Sequence, residues 1–207
     1  MQLRYPTGLA GEQYVKRRAW RDATLRRCPN HPRGGCSFAR HGTYPRKRPR
    51  GTRVARWYCP ESRMTFSLLP DCLAARLPGT LQAMEEAVAS AEAASSLAAA
   101  ADALRRDAVH LPGAIRWLVR RVRAVHGNLA AVRGLWPERF LECAPEVMAF
   151  RARLQTEAVL VGLRGRCERR LGHLAPPLGF CPCAPGAGLV PGAVQHPTGA
   201  DPPGSGR

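Results

Sequence analysis

The sequence predicts a small α+β protein with an N-terminal β-hairpin unit, a mainly helical region and a disordered C-terminal tail. Residues 37–44 and 52–59 are rich in strand formers, and the turn residues Pro49-Arg50-Gly51 between them favour a hairpin. After Pro70 the apolar spacing changes from two residues to a helical period. Pro and Gly supply 15 of the last 33 residues, a composition that is typical of disorder.

These changes divide the chain into five predicted segments. The hairpin unit follows a basic arm, and the helical domain is followed by a helical extension and the tail. We expect the boundaries to be 1–27 (arm), 28–72 (hairpin unit), 80–136 (helical domain), 137–174 (extension) and 175–207 (tail).

Positive charge is concentrated in two blocks. The chain has 32 basic and 15 acidic residues, for a net charge of +17. Residues 1–56 carry +13, residues 80–110 carry −3, and residues 111–136 carry +5. Codon bias alone would spread arginine evenly, so the blocks indicate a surface that binds a polyanion. Double-stranded DNA is the partner that we expect.

The hairpin unit contains a set of soft ligands with spacing suited to zinc. Cys28 and His31 form a tight pair, and Cys59 lies in the second predicted strand. Gly34-Gly35 allow a sharp path that brings in Cys36. The predicted Zn²⁺ site is therefore Cys28, His31, Cys36 and Cys59, with a structural role. Cys72 is an alternative fourth ligand, and a metal-free, arginine-rich hairpin is the alternative to any metal site.

The same stretch resembles the zinc ribbons at the start of bacterial insertion-sequence transposases. The residues that carry the resemblance are Cys28-Pro29 with His31, the run from Arg40 to Arg46, and Arg56-Trp57-Tyr58-Cys59 followed by Thr65-Phe66-Ser67-Leu68-Leu69-Pro70. It covers residues 28–82. The resemblance implies a DNA-recognition unit in which a helix-turn-helix follows the ribbon. Ser62 and Arg63 stand where those families have Cys and Gly.

Three helices are predicted in the helical domain. Thr80 is placed as the N-cap of the first helix, and Ser95-Ser96 precede the second. The turn Leu111-Pro112-Gly113 then separates the second helix from a third, over residues 114–125. This order is typical of a helix-turn-helix unit.

The third helix has an apolar face and a basic face. Ile115, Leu118, Val119, Val122 and Val125 are predicted to be buried, and the run from Ile115 to Arg121 resembles an Arg-Trp motif of transposase helix-turn-helix units. An amphipathic surface helix with a solvated basic face is the alternative. The predicted DNA-binding residues of this helix and of the hairpin are Arg116, Arg120, Arg121, Arg123, Arg46, Lys47, Arg48, Arg50 and Arg53.

Beyond the third helix, the pattern predicts a short helix that ends at Pro137 and a longer one over residues 145–170. The longer helix carries an apolar stripe that serves for packing or for a homodimer: Val147, Phe150, Leu154, Ala158 and Val161.

The sequence argues against catalysis and against a membrane location. It contains no carboxylate triad preceded by strands, no nucleophile motif and no phosphate-binding glycine loop. It also lacks eighteen consecutive apolar residues and an apolar leader. We therefore expect a non-enzymatic, cytoplasmic, nucleoid-associated protein. We expect it to be the DNA-recognition part of a transposase, a stand-alone transcriptional regulator built from the same modules, or a degenerate, metal-free nucleic-acid-interacting protein.

Overall fold

The computed structural model describes residues 1–104 and 113–181, and it shows a small α+β fold built on a four-stranded sheet. The strands are β1 (Gln2–Tyr5), β2 (Ala39–Pro45), β3 (Arg53–Cys59) and β4 (Met64–Pro70), in the spatial order β1-β4-β3-β2. β2, β3 and β4 pair antiparallel, and β1 pairs parallel with β4. The predicted hairpin corresponds to β2 and β3.

The N-terminal segment is part of the sheet unit, whereas the sequence predicted a basic arm. β1 pairs with β4, and Arg4 donates two hydrogen bonds to the Asp71 carboxylate at 2.9 and 2.8 Å. The first helix, α1 (Gly11–Lys16), is followed by buried Trp20 and contains Tyr14, which is fully buried. These apolar contacts explain why the segment packs on the sheet in spite of its charge.

Six further α-helices and a short 3₁₀ turn follow in the described residues. The first two begin as predicted, because Thr80 accepts a hydrogen bond from Ala83 N and Ser96 accepts one from Ala99 N. The helices are α2 (Leu81–Ala93), α3 (Leu97–Ala103), α4 (Ala114–Leu135), α5 (Pro137–Phe140), α6 (Val147–Leu154) and α7 (Val159–Arg166), and the turn is Glu168–Arg170.

α4 is longer than predicted. The third helix and the short helix after it are one continuous element of 22 residues. Gly127 does not end the helix, because a single glycine costs only about 1 kcal/mol relative to alanine. Leu129 and Val132, which are both fully buried, keep the apolar face continuous past that glycine.

The prediction of one long helix over residues 145–170 was wrong. The structure has two helices there, α6 and α7, and a carboxylate of α2 holds the start of each. Glu92 accepts hydrogen bonds from Val147 N and Met148 N, at the start of α6. Glu85 accepts them from Val159 N and Leu160 N, at the start of α7, at 3.1 and 2.9 Å. Both helix starts are thus held by acceptors on α2, where negative charge also complements the helix dipole.

The main helical core lies between α2, α4, α6 and α7. Val147 and Phe150 of the predicted stripe are fully buried in this core, so they pack within the chain. Residues 175–181 of the predicted tail also pack there, through Leu178 and Phe180, and the rest of that tail lies outside the described residues. No helix in the described part of the chain is both long enough and apolar enough to cross a bilayer.

Glu85→Ala should destabilise the fold. It leaves the buried N–H groups of Val159 and Leu160 without their acceptor, at a cost of about 1–3 kcal/mol for each group. The matched control is Glu86→Ala, because Glu86 is exposed and its carboxylate accepts, among the described residues, only from the Gln82 side chain. Denaturant unfolding should show a large decrease in stability for the first variant and a change within about 0.5 kcal/mol for the second. Equal effects would contradict the capping role of Glu85.

Candidate metal centre and basic surface

Four side chains of the sheet unit lie close enough to hold a metal ion. The ligand atoms of Cys28, His31, Cys36 and Cys59 are all within 4.8 Å of one another. Cys28 and Cys59 are buried, and the other two are half-buried. They are the four residues that the sequence predicted as a zinc site.

The distances from His31 to two of the sulfurs fit tetrahedral coordination. His31 Nδ1 lies 3.6 Å from Cys28 Sγ and 3.5 Å from Cys59 Sγ. Two ligands at zinc distances of about 2.3 Å (S) and about 2.05 Å (N) are about 3.6 Å apart across a tetrahedral angle. Three sulfurs and one imidazole nitrogen also form a common donor set for structural zinc. The same separations fit hydrogen bonds between thiols and imidazole, and metal analysis distinguishes the two.

Local structure brings the four ligands together. His31 N donates to Cys28 O at 3.2 Å, which closes the turn of the first pair. The sequence predicted that Gly34 and Gly35 allow a sharp turn toward Cys36. Their φ angles are 88° and 82°, in the region that favours glycine. Cys59 is the last residue of β3 and is fully buried.

Glu61 joins the loop of the first ligands to the end of the hairpin. Its carboxylate accepts from Ser37 N at 2.9 Å, and its other oxygen lies 3.5 Å from Cys59 Sγ. The hydrogen bond from the Ser37 backbone holds the pKa of Glu61 below its usual value. An outer carboxylate of this kind orients ligands. No spacing in the sequence points to Glu61, since it becomes a neighbour of Ser37 only after the strands pair.

The thiols differ in their electrostatic surroundings. Burial raises the pKa of Cys36 to about 11, and the neighbouring thiols of Cys28 and Cys59 act in the same direction. Burial would also raise the pKa of Cys59, but the polar hydrogens of Ser62 and of the neighbouring thiols outweigh it and lower this pKa to about 7. Ser62 therefore lies beside Cys59. Its hydroxyl oxygen is buried and has no hydrogen-bond partner among the described residues.

Cys72 is not part of the group. It is buried in the apolar core of the sheet unit, and burial raises the pKa of its thiol to about 11. The sequence left open whether Cys36 or Cys72 is the fourth candidate ligand. Cys36 is the one that lies close to Cys28, His31 and Cys59.

A cleft of about 380 Å³ opens beside the metal-binding group and is lined by arginines. Cys28, His31 and Cys36 form one part of its wall. Arg26, Arg27 and Arg33 form another part, and all three are exposed. The lining residues include no carboxylate. The sequence indicated only that this region is basic, because the three arginines come together through the fold of the loop.

The basic residues of the hairpin differ in how much they are free to bind a ligand. Arg46 is half-buried and donates to the carbonyls of Ala74 and Leu77 at 2.7 and 2.6 Å, so it holds the hairpin to the loop between β4 and α2. Arg53 is exposed and donates to Thr43 Oγ1. The other predicted DNA-binding residues of the hairpin are exposed: Lys47, Arg48 and Arg50.

The two faces of α4 separate less cleanly than predicted. Arg116, Arg120 and Arg123 are exposed, and Leu118 and Val125 are buried, as expected. However, Ile115 is 44% exposed, whereas the sequence placed it on the buried face. Arg121 is only 9% exposed, because its guanidinium lies over the Trp117 ring, 3.4 Å from the centroid.

Comparison with protein-family models, with curated proteins and with solved structures found no match to this chain.

The purified protein should contain about one zinc ion per chain. Cys59→Ala should remove the metal, because it deletes one of four ligands, whereas Cys72→Ala, the loss of a thiol outside the group, should retain it. Elemental analysis of both variants measures this. Absence of stoichiometric zinc from the wild-type protein, or loss of zinc from Cys72→Ala alone, would contradict the assignment.

Proposed function

We propose that this protein binds double-stranded DNA and that a structural zinc ion shapes the surface that does so. The observation that carries the proposal is the cleft in which Arg26, Arg27 and Arg33 lie beside three of the candidate metal ligands. A wall of exposed guanidinium groups without a carboxylate is suited to phosphate oxygens, which arginine binds through two parallel hydrogen bonds.

The role of zinc follows from where the arginines lie in the chain. Arg33 belongs to the loop between His31 and Cys36, and Arg27 directly precedes Cys28. A metal held by both ends of that loop would restrict its conformations and keep the arginines pointed at one target. Zinc supplies this restraint without redox chemistry, and small units of this kind depend on the metal to fold.

The surrounding charge supports a long polyanion as the partner. Residues 1–56 contain 15 basic and 2 acidic residues, and most of the basic ones are exposed. The phosphates of a duplex match such a surface better than a single small anion does, because many counterions are released together.

α4 is the proposed second contact, with a role in sequence recognition. Arg116, Arg120 and Arg123 are exposed at helical spacing, and buried Leu118 seats the helix. In this proposal α2, α3 and α4 act as a helix-turn-helix unit whose arginines reach base edges in the major groove. The chain would then correspond to the DNA-recognition part of an insertion-sequence transposase. We assign no catalytic role to any residue.

Replacing Arg26, Arg27 and Arg33 together by Gln should weaken duplex binding and reduce its salt dependence. Each lost phosphate contact should reduce the log–log slope against salt by about 0.9. Fluorescence anisotropy of a labelled duplex at several salt concentrations measures both quantities.

The matched control replaces three exposed arginines near the end of the helical region, Arg166, Arg169 and Arg170, by Gln. This triple variant loses the same three positive charges as the cleft variant, but from outside the cleft. If the cleft is the contact, it should keep most of the affinity and most of the salt dependence. Equal loss in both triple variants would indicate a nonspecific charge effect, and no loss in either would reject the cleft.

Arg116→Ala should reduce specificity without a uniform loss of affinity. An arginine that contacts guanine with two hydrogen bonds is worth about 1–3 kcal/mol on the preferred site and little on random DNA. Selection of bound sequences from random duplexes gives the preferred site, and affinities for that site and for a scrambled duplex are then compared. A wild-type protein that enriches no sequence would reject base recognition by α4.

A further inference from the structure

A second basic cleft, of about 700 Å³, lies between the end of α1 and the hairpin. Four cationic side chains form part of its wall: Lys16, Arg18, Arg21 and Arg53. All four are exposed, and the lining residues include no carboxylate. None of the four forms an ion pair within the described part of the chain. Their positive charge is therefore available to an anion from outside the chain.

The two sides of this cleft are held together by contacts beneath it. Tyr14 of α1 is fully buried, and its hydroxyl donates to the Arg53 carbonyl at 3.0 Å. Gly51, in the turn before β3, approaches α1 so closely that a Cβ on it would lie 3.4 Å from Val15 Cγ1. The cations of α1 and of the hairpin thus surround one cleft whose walls are packed against each other.

Further hydrogen bonds hold parts of the wall in place. Arg40 of β2 donates to the carbonyls of Trp20 and Arg21 at 2.7 and 2.9 Å, which fixes the segment after α1. Arg53 Nε donates to Thr43 Oγ1 at 2.7 Å, which orients the guanidinium and uses one of its five N–H donors. The wall is therefore preorganised, whereas most donors of the Arg53 guanidinium have no acceptor among the described residues.

Arg18 has a backbone conformation that arginine rarely adopts. Its φ is 50°, and it directly follows the C-cap of α1, Arg17. Glycine, or sometimes asparagine, is usual at this position, because a Cβ is disfavoured in the left-handed region. The exposed Arg18 side chain forms no hydrogen bond or ion pair with the residues that the structure describes. An arginine here costs stability and gives the fold no contact in return, which leaves the side chain free to bind a ligand.

This cleft lies close to the one beside the candidate metal centre. Arg21 lines the first and Arg26 the other, and the five residues of chain between their Cα atoms span at most about 18 Å. A duplex carries one negative charge per about 1.7 Å of its axis, so that length presents about ten phosphates. One short segment of duplex can therefore contact both clefts.

We propose that Lys16, Arg18, Arg21 and Arg53 form a second phosphate-binding site, which holds the backbone of the duplex that the first cleft contacts. The inference rests on the proposed function for the source of its ligand. Each arginine offers a phosphate two parallel hydrogen bonds, and Lys16 adds a compact positive charge.

The test uses the full chain with zinc and single substitutions that differ only in their place relative to the cleft. Arg18→Gln and Arg53→Gln should each bind a labelled duplex about tenfold more weakly by fluorescence anisotropy. The matched control is Arg17→Gln, which removes the same charge from the adjacent exposed residue outside the cleft lining, and it should lose about twofold or less. Equal losses in Arg17→Gln and Arg18→Gln would overturn the site while leaving duplex binding in place.

Arg18→Asn separates ligand binding from folding. Asparagine adopts a positive φ more readily than arginine, so the melting temperature should equal or exceed that of the wild-type protein. Duplex affinity should nevertheless decrease as in Arg18→Gln. A lower melting temperature together with the weaker binding would assign Arg18 to the fold and overturn its role in the site.

Inorganic phosphate provides a readout that does not require DNA. The wild-type protein should melt at a higher temperature in phosphate than in chloride of equal ionic strength. This difference should decrease in Arg18→Gln and in Arg53→Gln, and persist in Arg17→Gln. If the wild-type protein bound no duplex, this assay would decide alone: the pattern would retain the site and reject the proposed function, and its absence would reject both.

Discussion

The arrangement of the sheet against the helices depends on one buried arginine. Arg164 of α7 is fully buried, and its guanidinium donates to the carbonyls of Pro70, Asp71, Leu73, Pro177 and Leu178. A buried charge is tolerated only when its hydrogen bonds are satisfied, so these five carbonyls are fixed around it. Burial lowers the pKa of Arg164 to about 10, which still leaves it cationic. Arg4 strengthens the same junction, since it pairs with Asp71 and, at 3.0 Å, with Glu168.

This junction has consequences for both proposed DNA contacts. The loop that follows β4 connects the sheet, which carries the candidate metal centre, to α2, which carries Glu85 and Glu92. Those carboxylates fix the starts of α6 and α7, and α2 also packs on α4. Arg46 adds a second connection, because it holds the hairpin to the carbonyls of Ala74 and Leu77. The arginines of the sheet unit and those of α4 are therefore held in one fixed arrangement relative to each other, the arrangement in which the proposed function has them contact a duplex.

The sequence was informative where structure depends on neighbouring residues. The four candidate ligands, the hairpin and the caps Thr80 and Ser96 could all be predicted from spacing and local propensity. The sequence was uninformative where a charged side chain forms hydrogen bonds to backbone groups that are distant in the chain. Glu85 reaches N–H groups 74 and 75 residues away, and Arg164 reaches carbonyls up to 94 residues away. In a linear pattern such residues look like solvated positions, so the break before α7 was missed.

The central claim is that a metal ion shapes a DNA-binding surface, and one comparison tests it most directly. Duplex affinity should be measured over a range of salt concentrations for zinc-loaded protein and for the same protein after chelation. The account predicts tight, steeply salt-dependent binding with zinc, and weaker binding with a shallower slope without it, restored when zinc is added back. Equal affinity and slope in the two states, or no duplex binding in either, would contradict it.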